Sequence, residues 1–273
     1  KYQNMFLPES IDLGQSDRYV LSIRITSYSF MFSISDPETK ENYCLRETSF
    51  SMSDNLLANI QRIIFDFNFL TQEFKQTNVI FVSSSYDLIP ARYFDLKDKE
   101  HLYNFTHVEK ASHLSTGFIK NQDVTTLFNL NKDIFDFLSR SLWAPHFFHH
   151  TNLLINYFED KNKLTGNASR MYLNFHDNFL DIICFTGPKL VHSLTYTNEQ
   201  ITNQLYYILK LWEQCRFSQL DDYLFIVGNP DLQLVKLLQQ YIKNIEQQNI
   251  PSEIFLWNED AQKAPLDLLT LSL

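Results

Sequence analysis

The sequence predicts an α/β protein made of two similar halves, each a mixed sheet with helices on its faces. Two observations lead to this class. The order β-β-β-α-β-α-β is read twice along the chain, with matching elements roughly 145–150 residues apart. Helical stretches place apolar residues on one face, whereas the strand-like runs are short and end at turns. Two mid-sized sheets fit this pattern better than one very wide sheet, because sheet twist makes wide sheets uncommon.

The first half begins with three strands and a helix. Residues 18–37 read as two strands joined by a tight turn, and residues 41–52 read as a third strand. Residues 53–74 repeat apolar side chains at helical spacing, and Ser53 or Asp54 is expected to cap that helix. The remaining elements of this half are a buried strand over 77–85, a helix over 90–105 with Pro90 in its first turn, and a strand over 124–130.

The second half repeats the order. Residues 170–188 read as two strands around a turn at His176-Asp177-Asn178, and residues 189–197 as a third strand. The elements that follow are a helix over 197–217, a strand over 222–229, a helix over 230–247 and a strand over 252–257. Residues 131–160 read as two linking helices broken near Pro145. The predicted domains are therefore 1–144, with the linking helix, and 145–273.

Composition excludes several classes of function. The formal net charge of −9, without any run of Lys or Arg, argues against a nucleic-acid partner. No apolar stretch approaches the ~20 residues of a membrane span. The three cysteines lie far apart without a CxxC pair, which indicates reduced thiols of a cytoplasmic protein. The five glycines suffice for about one phosphate-cradling loop and not for three, since such loops need glycine for close approach of the backbone to the ligand.

Four stretches carry a resemblance to a known family. They are YVLSIRITSYSFMFSI, VIFVSSSYDLIPARYF, MYLNFHDNFLDIICF and LFIVGNPDLQLVKLLQQYI. The chain resembles an uncharacterised bacterial domain-of-unknown-function family whose members have an actin-like ATPase fold, two ribonuclease-H-like halves around a cleft. The resemblance covers nearly the whole chain, but it lies in hydrophobic pattern and element order and includes no catalytic signature. It implies the fold rather than an activity.

The phosphate positions of that fold hold unsuitable residues here. In active actin-like ATPases and sugar kinases, the turn after the first strand of each half is rich in Asp-x-Gly, and its aspartate holds Mg²⁺ through water. Here the first turn reads Arg24-Ile25-Thr26-Ser27-Tyr28, and the second reads His176-Asp177-Asn178-Phe179. Asp177 is either a remnant of the magnesium site or an ordinary turn residue. Arg24 is either a phosphate contact or one more residue of an alternating strand.

A second nucleotide position lies after the fourth strand of the second half. Active members carry a Gly-Gly turn there, beside the adenosine, whereas this chain reads Gly228-Asn229-Pro230-Asp231. Pro230 lacks a backbone N–H, and the charge of Asp231 would repel a phosphate. Asn229 is expected to cap the following helix, with Pro230 as its first residue. Asp177, Gly228 and Asn229 are thus weak cofactor-binding candidates, with a plain structural turn as the alternative.

The histidines at 146–150 offer a different chemistry. On a helix, His146 and His150 would share a face at the spacing used for zinc. The glutamate of a zinc-hydrolase motif is replaced by Phe147, so incidental histidines on an amphipathic helix are the favoured alternative. We therefore assign neither catalytic nor metal-ligating residues from the sequence.

The favoured function is a non-catalytic, actin-like-fold protein with a degenerate nucleotide cleft. It would bind an unknown protein partner or another copy of itself, with no cofactor. The alternative is an active ATPase or small-molecule kinase that holds Mg-ATP in an atypical way, through Asp177, Gly228 and the serines of 83–85. A third hypothesis is a metal-dependent enzyme built on the 146–150 histidines. The apolar tail, APLDLLTLSL, is expected either to pack on the body or to dock on a partner.

Overall fold

A computed structural model describes residues 6–162, 168–197 and 200–273. The chain forms two compact units, of which the first runs to Leu154 and takes in Ile250–Leu273, while the second is Ile155–Asn249. No helix in these described ranges combines the length and the hydropathy needed to cross a membrane.

The elements are numbered in chain order. The strands are β1 (Val20–Ile25), β2 (Ser29–Ser35), β3 (Tyr43–Ser49), β4 (Gln76–Phe81), β5 (Tyr86–Pro90), β6 (His113–Ile119), β7 (Val124–Leu130), β8 (His146–His149), β9 (Arg170–Phe175), β10 (Phe179–Thr186), β11 (Lys189–Thr197), β12 (Tyr223–Val227) and β13 (Asn244–Gln247). The helices are α1 (Leu56–Asp66), α2 (Lys99–Thr106), α3 (Lys132–Ser141), α4 (His150–Asn162), α5 (Ile201–Gln214), α6 (Leu232–Leu238), α7 (Glu259–Lys263) and α8 (Leu266–Leu269).

The main sheet of the first unit is mixed, with the order β3-β2-β1-β4-β8. The β1, β2 and β3 strands form an antiparallel meander, and β4 lies parallel to both β1 and β8. Alternate residues of β1 (Leu21, Ile23 and Ile25) point into an aromatic and aliphatic core. The same core receives the apolar faces of α1 and α3, so these helices cover one side of the sheet.

The main sheet of the second unit repeats this arrangement. Its order is β11-β10-β9-β12-β13, with β10 antiparallel to both neighbours and β12 parallel to β9 and β13. The core on one of its faces joins β9, β10 and β12 to α5 and α6. The equivalent strands β1 and β9 begin at Val20 and Arg170, a separation of 150 residues. The predicted duplication of a three-stranded meander followed by parallel strands is confirmed.

A smaller antiparallel sheet, of order β5-β7-β6, is inserted in the first unit between β4 and α3. One of its faces joins the main core through Tyr86, Phe128 and Leu130. The other face packs against α2, with Tyr103, Leu114 and Leu127 at the centre of a second, small core. Only β7 of these strands was predicted from the sequence.

The helix predicted over 90–105 is wrong at its start. Pro90 is the last residue of β5, and the α-helix begins at Lys99, after a 3-10 turn at Ala91–Tyr93. Proline is tolerated there because β5 is an edge strand, where one side of the backbone needs no ladder hydrogen bond.

Other elements in both units also differ from the predictions. β8 lies between the two helices predicted over 131–160, and α1 is capped by Asn55 rather than by Ser53 or Asp54. In the second unit, α6 ends at Leu238, and Asn244–Gln247 takes the last place in the sheet. The predicted final strand over 252–257 is instead a 3-10 turn. A short apolar run fits either period, so a four-residue strand gives little signal.

The C-terminal segment Ile250–Leu273 packs on the first unit and covers the edge strand β3. Asn258 Nδ2 donates to the carbonyl of Tyr43 at 2.6 Å, and Asp260 Oδ2 accepts the N–H of Leu45 at 3.1 Å. Apolar residues of the segment surround Tyr43, whose side chain is buried. The sequence placed this segment in a second domain of 145–273, but its contacts return it to the first unit, and the division otherwise falls at Leu154 within α4.

A buried ion pair fixes the end of this segment. Arg24 Nε, on β1, donates to both carboxylate oxygens of Asp267 on α8, at 2.9 and 3.0 Å. The side chains are only 12% and 3% exposed, so both charges are largely removed from water. Ser272 Oγ also contacts Ser35 Oγ at 3.2 Å. Of the two expectations for the tail, packing on the body is the one observed.

We expect Asp267→Ala to destabilise the protein by about 3–5 kcal/mol, because it leaves the Arg24 guanidinium buried without its counter-ion. Chemical denaturation followed by circular dichroism measures the change. The matched control is Glu259→Ala in the same segment, which removes an exposed ion pair with Lys263 and should cost less than about 1 kcal/mol. Equal losses for the two variants would contradict a structural role for the buried pair.

Candidate functional site

The candidate residues of the second unit lie at one edge of its sheet. Because β9 and β12 are parallel and Val227 pairs with Asn174, the turns that follow these strands are neighbours. One turn contains Asp177 and the other contains Gly228 and Asn229, and all three residues are exposed. The structure therefore brings the predicted cofactor-binding candidates to the same strand ends.

Gly228 is explained by the backbone around it. Its φ is +80°, in the region that favours glycine, and a Cβ built there would lie 3.0 Å from the carbonyl oxygen of Phe175. Its own carbonyl accepts a hydrogen bond from Gln247 Nε2 at 3.3 Å. A glycine is thus required for the close passage of β12 past the end of β9.

The start of α6 differs from the prediction. Asp231, not Asn229, is the N-cap, and its Oδ1 accepts the N–H of Gln233 at 2.7 Å. Pro230 lies before the cap, so it is not the first helical residue. A capping aspartate satisfies an otherwise unpaired N–H and places negative charge at the positive end of the helix dipole. Electrostatics at this helix start therefore disfavour an anion.

A buried polar network lies beside the first of these turns, and the sequence did not predict it. Asp181 on β10 is fully buried, and its Oδ2 lies 2.8 Å from Nε2 of His176. Its Oδ1 accepts a hydrogen bond from Thr195 Oγ1 at 2.6 Å, and Asn174 Nδ2 donates to Oδ2 at 3.3 Å. The carboxylate is thus surrounded by donors, which is what burial of a charge requires.

The network holds the turn in place. Asn174, Asp181 and Thr195 are direct cross-strand partners on β9, β10 and β11, so the sheet register brings them together. His176, the first residue after β9, is thereby anchored while Asp177 stays exposed. The one sequence signal was an aspartate in the otherwise apolar run FLDIICF, on a strand buried on both faces.

The corresponding turn of the first unit is also closed by its own side chains. Thr26 Oγ1 accepts the N–H groups of Tyr28 and Ser29 at 3.1 and 2.9 Å. Arg24, which precedes it, is held by Asp267. At the end of β4, the Ser83 carbonyl and hydroxyl lie 3.0 and 3.2 Å from Nε2 of His149. The polar groups of Arg24, Thr26 and Ser83 at these strand ends therefore have partners within the first unit.

The 146–150 histidines do not form the helical pair that a zinc site would need. His146–His149 is strand β8, and α4 begins only at His150. His146 is exposed, whereas His149 and His150 are buried. His149 Nδ1 lies 2.7 Å from Thr151 Oγ1, so this ring is oriented on both sides by the protein.

Two of the cysteines are neighbours in the fold, although all three lie far apart in the sequence. Cys184 on β10 is buried in the second-unit core, and Cys215, at the end of α5, packs against the same core. A hydrogen bond from the Cys184 thiol lowers the pKa of Cys215. The same hydrogen bond, together with burial, raises the pKa of Cys184 well above its usual range.

Comparison with known proteins identifies the family. The profile of a family described as protein of unknown function (DUF3822) matches residues 8–245. The chain belongs to DUF3822. No curated protein matches this DUF3822 chain.

Solved structures establish the fold of this DUF3822 member. A Bacteroides thetaiotaomicron protein with an actin-like ATPase fold and unknown function has a TM-score of 0.83 and 26% identity, over 96% of this chain and 98% of that one. A chain of the PilM–PilN type IV pilus biogenesis complex has a TM-score of 0.62 and 10% identity, over 93% of this chain and 97% of that one. The second likeness shows the fold alone. The expected actin-like ATPase fold and the expected family of unknown function are thus both confirmed.

Replacement of Gly228 by alanine separates a backbone requirement from a ligand requirement. We expect Gly228→Ala to destabilise the protein by about 2 kcal/mol or more, because φ is positive and the new Cβ meets the Phe175 carbonyl. The control is Gly187→Ala, which also has positive φ but meets nothing within 4 Å and should lose only about 1 kcal/mol. Thermal and urea unfolding measure both; a neutral Gly228→Ala would contradict this explanation.

The thiol pair predicts a shifted reactivity profile. Cys215 should react with iodoacetamide before Cys184, with a rate that rises at lower pH than for an unperturbed thiol, because the thiolate is the nucleophile and its pKa is lowered. The Cys184→Ala variant loses this hydrogen bond, which should raise the pKa of Cys215. The alkylation rate of Cys215 should therefore rise at a higher pH in the variant than in the wild-type chain. Mass spectrometry of alkylated peptides against pH measures this. A profile unchanged by the replacement would show that the thiols do not interact.

Proposed function

We propose that this DUF3822 member is a non-catalytic protein with a degenerate nucleotide site, and that it acts by binding another protein. One observation carries the proposal: at the strand ends where active members of the fold grip a nucleotide, the polar side chains of Arg24, His176 and Asp231 are engaged in contacts of the fold itself. The fold is therefore retained while the chemistry of its phosphate positions is not.

In the first unit, the strand-end turn offers no group suited to Mg²⁺. Magnesium prefers carboxylate and phosphate oxygens, and this turn carries Thr26, Ser27 and Tyr28. Arg24 has the charge to contact a phosphate, but its Nε is directed at both oxygens of Asp267. Freeing it would leave a buried carboxylate without its partner, at a cost of several kcal/mol.

In the second unit, the acids are placed unfavourably for phosphate. Asp231 lies at the helix start, where an anion would otherwise be stabilised, and α6 has only seven residues. Gly228 is accounted for by its φ and by Phe175. Asp177 is an exposed carboxylate in the turn after β9, and Mg²⁺ is usually held by one or two carboxylates together with phosphate oxygens.

Two features support a protein partner. A neighbour of the same fold, matched over nearly its whole length, is part of a complex between two proteins, PilM and PilN. The first unit also exposes large apolar side chains around its small sheet, including Tyr93, Leu96, Phe105 and Phe118. Exposed apolar groups of this kind are typical of interaction sites. The reduced thiols fit a cytoplasmic setting for such an interaction.

Titration with Mg-ATP and Mg-ADP, followed by thermal unfolding, tests the proposal. A ligand selective for the folded state raises the free energy of unfolding by about 2.7 kcal/mol at a hundredfold excess over its Kd. We expect no saturable rise for the wild-type chain. A rise that is abolished by Asp177→Asn, but retained in the exposed control Asp221→Asn, would establish the rival function of an active ATPase or kinase.

A further inference from the structure

The small sheet of the first unit has a strand edge whose backbone groups are partly unused. Within β7, the N–H of Asn129 donates to Ser85, on the β5 side, so the groups of Asn129 point away from β6. Its β6 partner, Leu114, therefore directs its own backbone outward, and the Leu114 carbonyl accepts a hydrogen bond from Lys99 Nζ at 2.9 Å. In an antiparallel pair, the backbone N–H and C=O groups of successive residues point alternately toward and away from the partner strand. Those of Thr116 and Phe118 therefore point outward, as those of Leu114 do.

The outward groups of Thr116 and Phe118 are available to another chain. Among residues 6–162, 168–197 and 200–273, no hydrogen bond is formed to the backbone N–H or C=O groups of these two residues on that side. Both residues are exposed, and Gly117 between them adds no side chain to the edge. An added strand forms its hydrogen bonds with the N–H and C=O groups of every second residue of an edge strand, and Thr116 and Phe118 have this spacing.

A groove lies directly beside this open edge. Its volume is about 690 Å³, and it runs between residues 92–96 and a part of the sheet face where Thr116 and Phe118 are exposed and Thr125 is buried. Three of its walls are large apolar side chains that are more than half exposed: Tyr93 at 65%, Leu96 at 64% and Phe118 at 52%. A peptide side chain that leaves the edge strand toward this face would enter the groove.

The charges around the groove favour an acidic neighbour for that apolar side chain. The Arg92 guanidinium lies 4.6 Å from the centroid of the Tyr93 ring, and no ion pair to it is formed within the described part of the chain. Asp95, the acid among the lining residues, accepts the N–H of Lys97 through its Oδ1. Neither charge has a counter-ion within the described part of the chain, but Asp95 accepts a backbone N–H, whereas the contact of the Arg92 guanidinium is the face of the Tyr93 ring.

We propose that an extended segment of a partner protein adds to β6 beside Thr116 and Phe118, places an apolar side chain between Tyr93, Leu96 and Phe118, and sets an acidic side chain against Arg92. This assigns the interaction surface and the partner class for the proposed function, on which it rests. Main-chain hydrogen bonds give such a complex its register, and the groove and Arg92 give it specificity.

The probe is a phage-displayed library of random twelve-residue peptides, selected on the full chain and counter-selected on Phe118→Ser. We expect enrichment of peptides that alternate an apolar residue with neighbouring acids. A synthetic peptide of the enriched sequence is then titrated by fluorescence polarisation. Its affinity should fall at least about tenfold for Phe118→Ser and for Arg92→Gln, and the effect of added salt should shrink in the latter.

One pair of variants isolates the strand edge. Thr116→Pro removes the outward N–H, and an edge strand tolerates proline on that side, whereas Thr116→Val keeps the N–H. We expect a loss of about tenfold or more only for Thr116→Pro. Because that variant is open to misfolding, amide exchange of the wild-type chain with bound peptide provides a second measure, in which protection should appear at Thr116 and Phe118.

The outcomes separate this inference from the proposed function. No enrichment, or peptides that bind wild type and all variants alike, would overturn the assignment to β6. Concentration-dependent dimers of the wild-type chain that Thr116→Pro abolishes would replace the partner protein with a second copy. Stabilisation by Mg-ATP would overturn the non-catalytic function while leaving peptide binding at β6 unaffected.

Discussion

The first unit depends on how one face of its main sheet is kept from water. This is the face opposite α1 and α3, and the C-terminal segment packs against it. That face carries Ser22, Ser33 and Asn78, all buried, together with Arg24. Polar groups at this depth need partners: Asn78 Nδ2 donates to Ser22 Oγ at 3.1 Å, and the segment Ile250–Leu273 supplies Asp267 for Arg24. Arg24 and Asp267 lie 243 residues apart, so covering this face of the first sheet depends on a contact between segments distant in sequence.

This covering also bears on the nucleotide question. A strand-end cation that completes a buried ion pair is not free to neutralise a phosphate, and a turn closed by Thr26 presents no carboxylate to a metal. In the second unit, the turn after β9 is stabilised by other side chains, because Asp181 holds His176 beneath it. Two copies of one sheet order thus stabilise equivalent turns through unrelated side chains.

The fold was largely predictable, because the meanders and the long helices carry strong period-two or helical patterns. β8 and β13 were missed since each has only four residues, and β5 and β6 since Pro90 and Gly117 break the strand pattern. The network around Asp181 requires the register of three strands, which depends on long-range packing. The Arg24–Asp267 pair and the groove at β6 likewise depend on contacts distant in sequence, so no local pattern indicates them.

Amide hydrogen exchange at the strand-end turns, with and without Mg-ATP, examines most directly whether these turns still hold a nucleotide. Peptides that cover Thr26–Ser29, His176–Phe179 and Gly228–Asp231 report on the phosphate positions, and those covering Thr116–Phe118 serve as the internal reference. If the side chains of these turns are engaged in contacts of the fold, the amide exchange rates of the turns should be the same with and without Mg-ATP. Slower exchange at the three turns, increasing with nucleotide concentration to a plateau, would contradict it.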